Sequence, residues 1–253
     1  MGDAHILAVA GKGGVGKTSI SAAMVRLLTE AYPAARILAI DADPAVGLST
    51  ALGFEPDATL DDIRKALSDE VAERAGGGVG DLLAGVRDRL LSAMAHRDGY
   101  DFFAIGRPEA AGCYCAVNTY LRQTISLLLH DYDLVVVDSE AGVEQVNRRV
   151  LERVTHLLLV TDASRKGTQV VRTVRAVAEE LVMYEKCGAI VNRVADADAM
   201  AFVDTGDIPV LAVIGEDETQ TEFDILGKSV FDLPPDAPIL RGTAEALRKL
   251  EIL

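Results

Sequence analysis

The sequence predicts one α/β domain over residues 1–253, with a doubly wound, mostly parallel sheet flanked by helices. Three observations carry that expectation. Short runs rich in Val, Ile and Leu recur along the chain, helix-period segments separate them, and the first run leads directly into a glycine-rich loop. Continuous apolar runs suit strands covered on both faces, the usual condition of a parallel sheet. Their alternation with helices implies right-handed crossovers and helical layers on both sides.

In chain order, strands are expected at 6–10, 36–40, 102–105, 134–137, 156–160, 189–191 and 210–214. Helical periodicity is clearest over 19–29, 82–95, 143–150 and 168–181, with a last helix at 243–250. The stretch Ala75-Gly76-Gly77-Gly78-Val79-Gly80 reads as a flexible break between two helices of an insertion, since neither side of it holds a complete sheet.

Composition excludes several functions. With 25 Lys+Arg against 39 Asp+Glu, the net charge is −14. Non-specific binding to nucleic acid or to anionic membranes needs clustered positive charge, so neither partner is expected. No apolar stretch reaches the ~18–20 residues of a membrane span. The start, Met1-Gly2-Asp3-Ala4-His5, lacks the layout of a signal peptide, and three cysteines are too few for a disulfide framework. A cytoplasmic protein is the expectation.

After the first strand comes Gly11-Lys12-Gly13-Gly14-Val15-Gly16-Lys17-Thr18, a phosphate-binding loop in its required strand–loop–helix setting. Glycines let backbone N–H groups curl around phosphate oxygens. Lys17 would reach the β- and γ-phosphates of ATP, or the β-phosphate of ADP, and the Thr18 hydroxyl would face Mg²⁺. Gly13, Gly14, Val15, Gly16 and Ser19 complete the expected cradle. The second strand runs into Asp41-Ala42-Asp43-Pro44 and the strand at 134–137 delivers Asp138, at the sheet edge where α/β proteins bind ligands.

The added Lys12 makes this loop resemble the deviant Walker A motif of the MinD/ParA/nitrogenase iron protein-like ATPases, a P-loop fold of the SIMIBI class. The resemblance implies that Lys12 crosses a homodimer interface to the partner's phosphates, and that ATP promotes the dimer. It further implies that Asp43 positions the attacking water, with Asp41 and Asp138 in the Mg²⁺ region and Gly142 in a mobile turn. It places the base near Asn192 and Arg193, with Glu216 and Asp217 as a second segment on that side.

Between the acidic strand ends stands Gly112-Cys113-Tyr114-Cys115. Two thiolates one residue apart can share one side of an extended loop, and a homodimer would double them to four. Taken alone, such a pair is weak evidence. Its surroundings, Gly106-Arg107-Pro108-Glu109 before it and Asp138-Ser139-Glu140-Ala141-Gly142-Val143-Glu144 after it, resemble the CooC family of nickel-inserting ATPases and its sister AcsF group. The resemblance runs from the phosphate loop to Leu233-Pro234-Pro235-Asp236. It implies that Cys113 and Cys115 carry Ni²⁺ (or Zn²⁺) at the dimer interface for delivery to carbon monoxide dehydrogenase, or to acetyl-CoA synthase in the sister group.

Gln145, where a His often stands, and Ala45-Val46-Gly47, where a more polar run is usual, depart from that pattern. Cys187 is expected in the core, and His5, His96, His130 and His156 share no spacing with the cysteine pair. Two other classes compete. A ParA/MinD-like spatial regulator gives the cysteine pair no role. An iron–sulfur redox protein like the nitrogenase iron protein would draw its ligands from well-separated cysteines.

Overall fold

The computed structural model describes residues 4–43, 45–73, 85–106, 115–139, 154–181 and 183–253. The elements in order are β1 (His5–Gly11), α1 (Lys17–Ala31), β2 (Ile37–Asp41), α2 (Leu48–Ala51), α3 (Leu60–Glu73), α4 (Val86–Ala93), β3 (Ala95–Arg97), β4 (Tyr100–Ala104) and α5 (Cys115–Leu129). Then follow β5 (Leu134–Asp138), β6 (His156–Thr161), α6 (Arg165–Leu181), β7 (Lys186–Val194), β8 (Val210–Gly215), α7 (Glu218–Leu226) and α8 (Pro238–Lys249). Among the described residues no helix is long and apolar enough to cross a membrane.

The eight strands form one sheet in the order β3-β4-β2-β5-β1-β6-β7-β8, parallel except for β3 against β4. Neighbouring β1 and β6 send their connections in opposite directions, to β2 and to β7. A crevice therefore opens at their C-terminal ends.

Beneath the continuous apolar runs lies a period of two. Leu7, Val9, Ile37, Ala39, Leu134, Val136, Leu158 and Val160 face one core with α1 and α8. Their sequence neighbours, among them Ala8, Leu38, Val135 and Leu157, face a second core with α3, α4, α5 and α6. Each fully buried aliphatic side chain contributes about 1.5–3 kcal/mol, so the strands are held from both faces. The same alternation turns Asp41 and Asp138 toward the α1 side. Buried Arg26 of α1 donates Nη1 to the carbonyls of Val230 and Leu233, both at 2.8 Å, tying the segment before α8 to the phosphate-loop helix.

All seven expected strands are present, each within a few residues of its expected limits. Between 82 and 95 the structure differs from the sequence expectation. The helix stops at Ala93, Met94 is extended, and Ala95–Arg97 pairs antiparallel with β4 across Asp98-Gly99, where Gly99 adopts φ 86°. An Asp-Gly pair suits a two-residue hairpin turn, and the free edge of β4 supplies hydrogen bonds that outweigh a modest helical pattern. The expected helix at 143–150 lies outside the described residues.

Candidate active site: the phosphate loop and three strand-end carboxylates

The loop after β1 is shaped by its own backbone. Gly16 lies in the left-handed region at φ 88° and leads into α1. The N-terminus of α1 carries no side-chain cap, so its first N–H groups and the positive end of its dipole face the loop's hollow. Three of the loop's carbonyls are engaged. Val15 O accepts Asn192 Nδ2 at 2.8 Å, Gly14 O accepts Arg193 Nη1 at 2.9 Å, and Lys12 O accepts the buried Lys17 Nζ at 3.2 Å. Carbonyls engaged in this way leave the loop's N–H groups available for gripping an anion.

A Cβ on Gly16 would stand 2.5 Å from Asn192 Nδ2. Gly16→Ala therefore strains the backbone and displaces the Asn192 clamp together. The expected result is about 1–3 kcal/mol lost in thermal unfolding and ADP affinity reduced more than tenfold by calorimetric titration. Retained affinity would show that Asn192 does not shape the loop.

The first two carboxylates stand on adjacent strands. Asp41 and Asp138 are direct partners in the β2–β5 register, and both are buried. Asp138 Oδ2 accepts the Thr18 hydroxyl at 2.7 Å and Oδ1 accepts the Ser21 hydroxyl at 2.9 Å. Burial pushes the Asp138 carboxyl up to about 6, against the lowering effect of those two hydroxyls and of Lys17. Asp41 accepts Leu48 N–H at 2.8 Å and Asp43 N–H at 3.1 Å, so it holds the loop leading into α2. Burial, then the neighbouring Asp138, raises its carboxyl to about 7. Half-buried Asp43 accepts Ala45 N–H at 2.9 Å, opening a turn in which Val46 adopts φ 50°. A β-branched residue in that region is strained, and such strain gathers at functional loops.

Asp162 is the third strand-end carboxylate, one residue beyond β6. Lys12 Nζ lies 2.8 Å from its Oδ2. Burial works to raise this carboxyl, but Lys12 and the hydroxyl and N–H of Ser164 outweigh it and hold it below the ordinary value. Lys12 is thus ion-paired within its own chain. Asp162 was not singled out from sequence, although it follows its strand as Asp138 follows Leu134–Val137.

Beyond Arg193, which adopts φ 58°, a cavity of about 640 Å³ is lined by Ser19, Asn192, Glu216, Asp217 and α7. Asn192, expected beside the base, is buried with its amide on the phosphate loop. Asp217 caps α7 by accepting Thr219 N–H at 2.9 Å, and Glu216 is exposed. Cys113 lies outside the described residues, while Cys115 is the first residue of α5 rather than part of an extended loop. Cys187 is half-buried beside β6, with its thiol pushed up to about 11 by burial. Among the described residues, no group of three or more His, Cys, Asp or Glu could hold a metal ion.

Comparisons with known proteins agree with this geometry. An uncharacterized ATP-binding protein of Methanocaldococcus jannaschii is 33% identical over 97% of this chain and 98% of its own length. The carbon monoxide dehydrogenase accessory protein CooC of Rhodospirillum rubrum is 29% identical over 95% of this chain and 94% of its own. In fold, the chain is similar to the septum site-determining protein MinD of Pyrococcus horikoshii, solved with Mg-ADP. The TM-score is 0.70 at 21% identity, covering 98% of this chain and 96% of that one. A ParA family ATPase of Chlorobium tepidum gives 0.69 at 23% identity, covering 97% and 99%. Residues 6–230 match the CobQ/CobB/MinD/ParA nucleotide binding domain, and the chain belongs to that family.

Proposed function

We propose that this chain is an ATPase whose nucleotide cycle opens and closes a homodimer, and that the cycle carries Ni²⁺ to a nickel enzyme. The observation that carries the ATPase reading is the uncapped phosphate loop set among Asp43, Asp138 and the Lys12–Asp162 pair. Lys17 and the loop's N–H groups bind the β- and γ-phosphates. Thr18 Oγ1 and the Asp138 carboxylate fit Mg²⁺, because the burial that raises Asp138 leaves a carboxylate that a cation would stabilise. When bound there, Mg²⁺ supplies charge neutralisation on the phosphates. Asp43 orients the attacking water. Lys12 leaves Asp162 and meets the partner's γ-phosphate, adding positive charge where it develops in the transition state.

The nickel reading is supported by the likeness to CooC and by Cys113 and Cys115. A two-fold axis would bring four thiolates to one ion, a complete set for Ni²⁺ or Zn²⁺. The client is carbon monoxide dehydrogenase, with acetyl-CoA synthase as the alternative.

The test is nickel bound per chain after anaerobic dialysis. Wild type should hold about one Ni²⁺ per two chains, and Cys113→Ala/Cys115→Ala should hold none. Nickel that persists in the double variant, or is absent from wild type, removes the cargo reading and leaves the ATPase reading standing.

A further inference from the structure

Ser19, the third residue of α1, is almost wholly buried and donates its hydroxyl away from the phosphate loop. The acceptor is Asp224 of α7, with Ser19 Oγ at 3.2 Å from Oδ1 and 3.3 Å from Oδ2. Gln220 Nε2 donates to the same carboxylate at 2.7 Å. The Arg193 guanidinium stands nearby, its Nη2 3.7 Å from Asp224 Oδ2, while its Nη1 holds the phosphate loop at Gly14 O. One carboxylate therefore links α1, α7 and, by charge, the end of β7.

This link also divides space. Ser19, Gln220 and Asp224 line the 640 Å³ cavity beside Asn192 and Arg193. They also line a second one of about 270 Å³ beside Thr18, Gly47 and Thr50. No residue of α7 is fully buried, so the helix is seated by this polar bridge and by partly buried Phe223.

We propose that Asp224 is a positioning residue that holds Ser19 when no nucleotide is bound and yields it to the sugar-linked phosphate when one arrives. The proposal rests on the nucleotide reading. A nucleotide with its outer phosphates in the loop and its base in the larger cavity must pass Ser19. The arriving phosphate and the Asp224 carboxylate are both anionic acceptors, and Ser19 has one hydroxyl proton to give. Asp224 loses Ser19 and turns to the Arg193 guanidinium, already 3.7 Å away. That exchange draws α7 toward the end of β7, so occupancy of the phosphate loop becomes a change at the wall of the base cavity.

The test is a double-mutant cycle read as affinity for Mg-ADP and for adenosine, with wild type, Asp224→Asn, Ser19→Ala and the double variant. Asn keeps an acceptor for Ser19 but loses the charge, and hydrogen bonds to charged groups are the stronger ones. Asp224→Asn should tighten Mg-ADP about 3–10-fold. In the Ser19→Ala background the gain should shrink to less than about twofold. Adenosine, which has no phosphate, should show no coupling between the two substitutions, even where each alone alters the cavity wall. Unchanged or weaker Mg-ADP binding in Asp224→Asn overturns the proposal, as does a gain that survives Ser19→Ala or an equal coupling between the two substitutions for adenosine. Wild type that fails to bind Mg-ADP overturns the nucleotide reading, and this proposal with it.

Discussion

Lys12→Ala should bind ADP and ATP within about threefold of wild type, yet hydrolyse ATP about a thousandfold more slowly and fail to dimerise with it. The separation follows from where the two loop lysines point. Lys17 Nζ rests on the backbone carbonyl of Lys12, which an alanine retains, so the phosphate grip survives. Lys12 Nζ is instead paired with Asp162, one residue beyond β6. Asp162→Asn is the companion variant. It loosens the internal partner of Lys12, so its dimer should form at several-fold lower ATP concentration than that of wild type. Sedimentation velocity with ATP, with ADP and without nucleotide reads both variants. An ATP-driven dimer of ordinary strength in Lys12→Ala would sink the role of this lysine across the interface.

Asp138→Asn should make the empty protein more stable at pH 8 while removing its stabilisation by Mg-nucleotide. The folded Asp138 carboxyl stands near 6 because burial disfavours its charge, against about 3.8 for an exposed aspartate. The folded state therefore binds more protons than the unfolded chain between pH 4 and 6, and stability from this group is lost as pH rises through that window. Asp41, raised to about 7, extends the loss by another unit. A two-unit shift corresponds to about 3 kcal/mol, or roughly 6–12 °C in a protein of this size.

Asparagine removes the buried charge but keeps the geometry, because its amide can accept one of the Thr18 and Ser21 hydroxyls and donate to the other. The melting temperatures of wild type and variant should coincide near pH 4, separate between pH 4 and about 7, and stay apart at pH 8, with the variant higher. With Mg-ADP at a hundred times its dissociation constant, wild type should gain about 2.7 kcal/mol and the variant almost none. Equal melting curves across the whole range would mean that Asp138 carries no burial penalty.

The phosphate loop and the strand-end aspartates Asp41, Asp43 and Asp138 were legible because their chemistry depends on residue type at fixed spacing along one strand–turn unit. The edge hairpin was legible only in part. Asp98-Gly99 announces a turn, but the helical pattern running up to residue 95 masks the strand that precedes it. Asp162 follows an apolar strand much as Asp138 does, but nothing local pairs it with Lys12, and Asp224 left no signal at all. Each follows from pairings over long separations: Asp162 meets Lys12 150 residues away, and Asp224 meets Ser19 205 residues away.

The sequence by itself determined the alternation of strands and helices, the position of the phosphate loop and the acidic ends of two strands, all of which follow from periodicity and local backbone freedom. Only the tertiary structure decided that β6 lies beside β1, and so that Lys12 is paired within its own chain. It also decided that the Asn192 amide braces the loop and that a carboxylate on α7 holds Ser19. Strand order sets which side chains meet, and it is fixed by burying two cores across one sheet, a property of the whole chain that no short stretch contains.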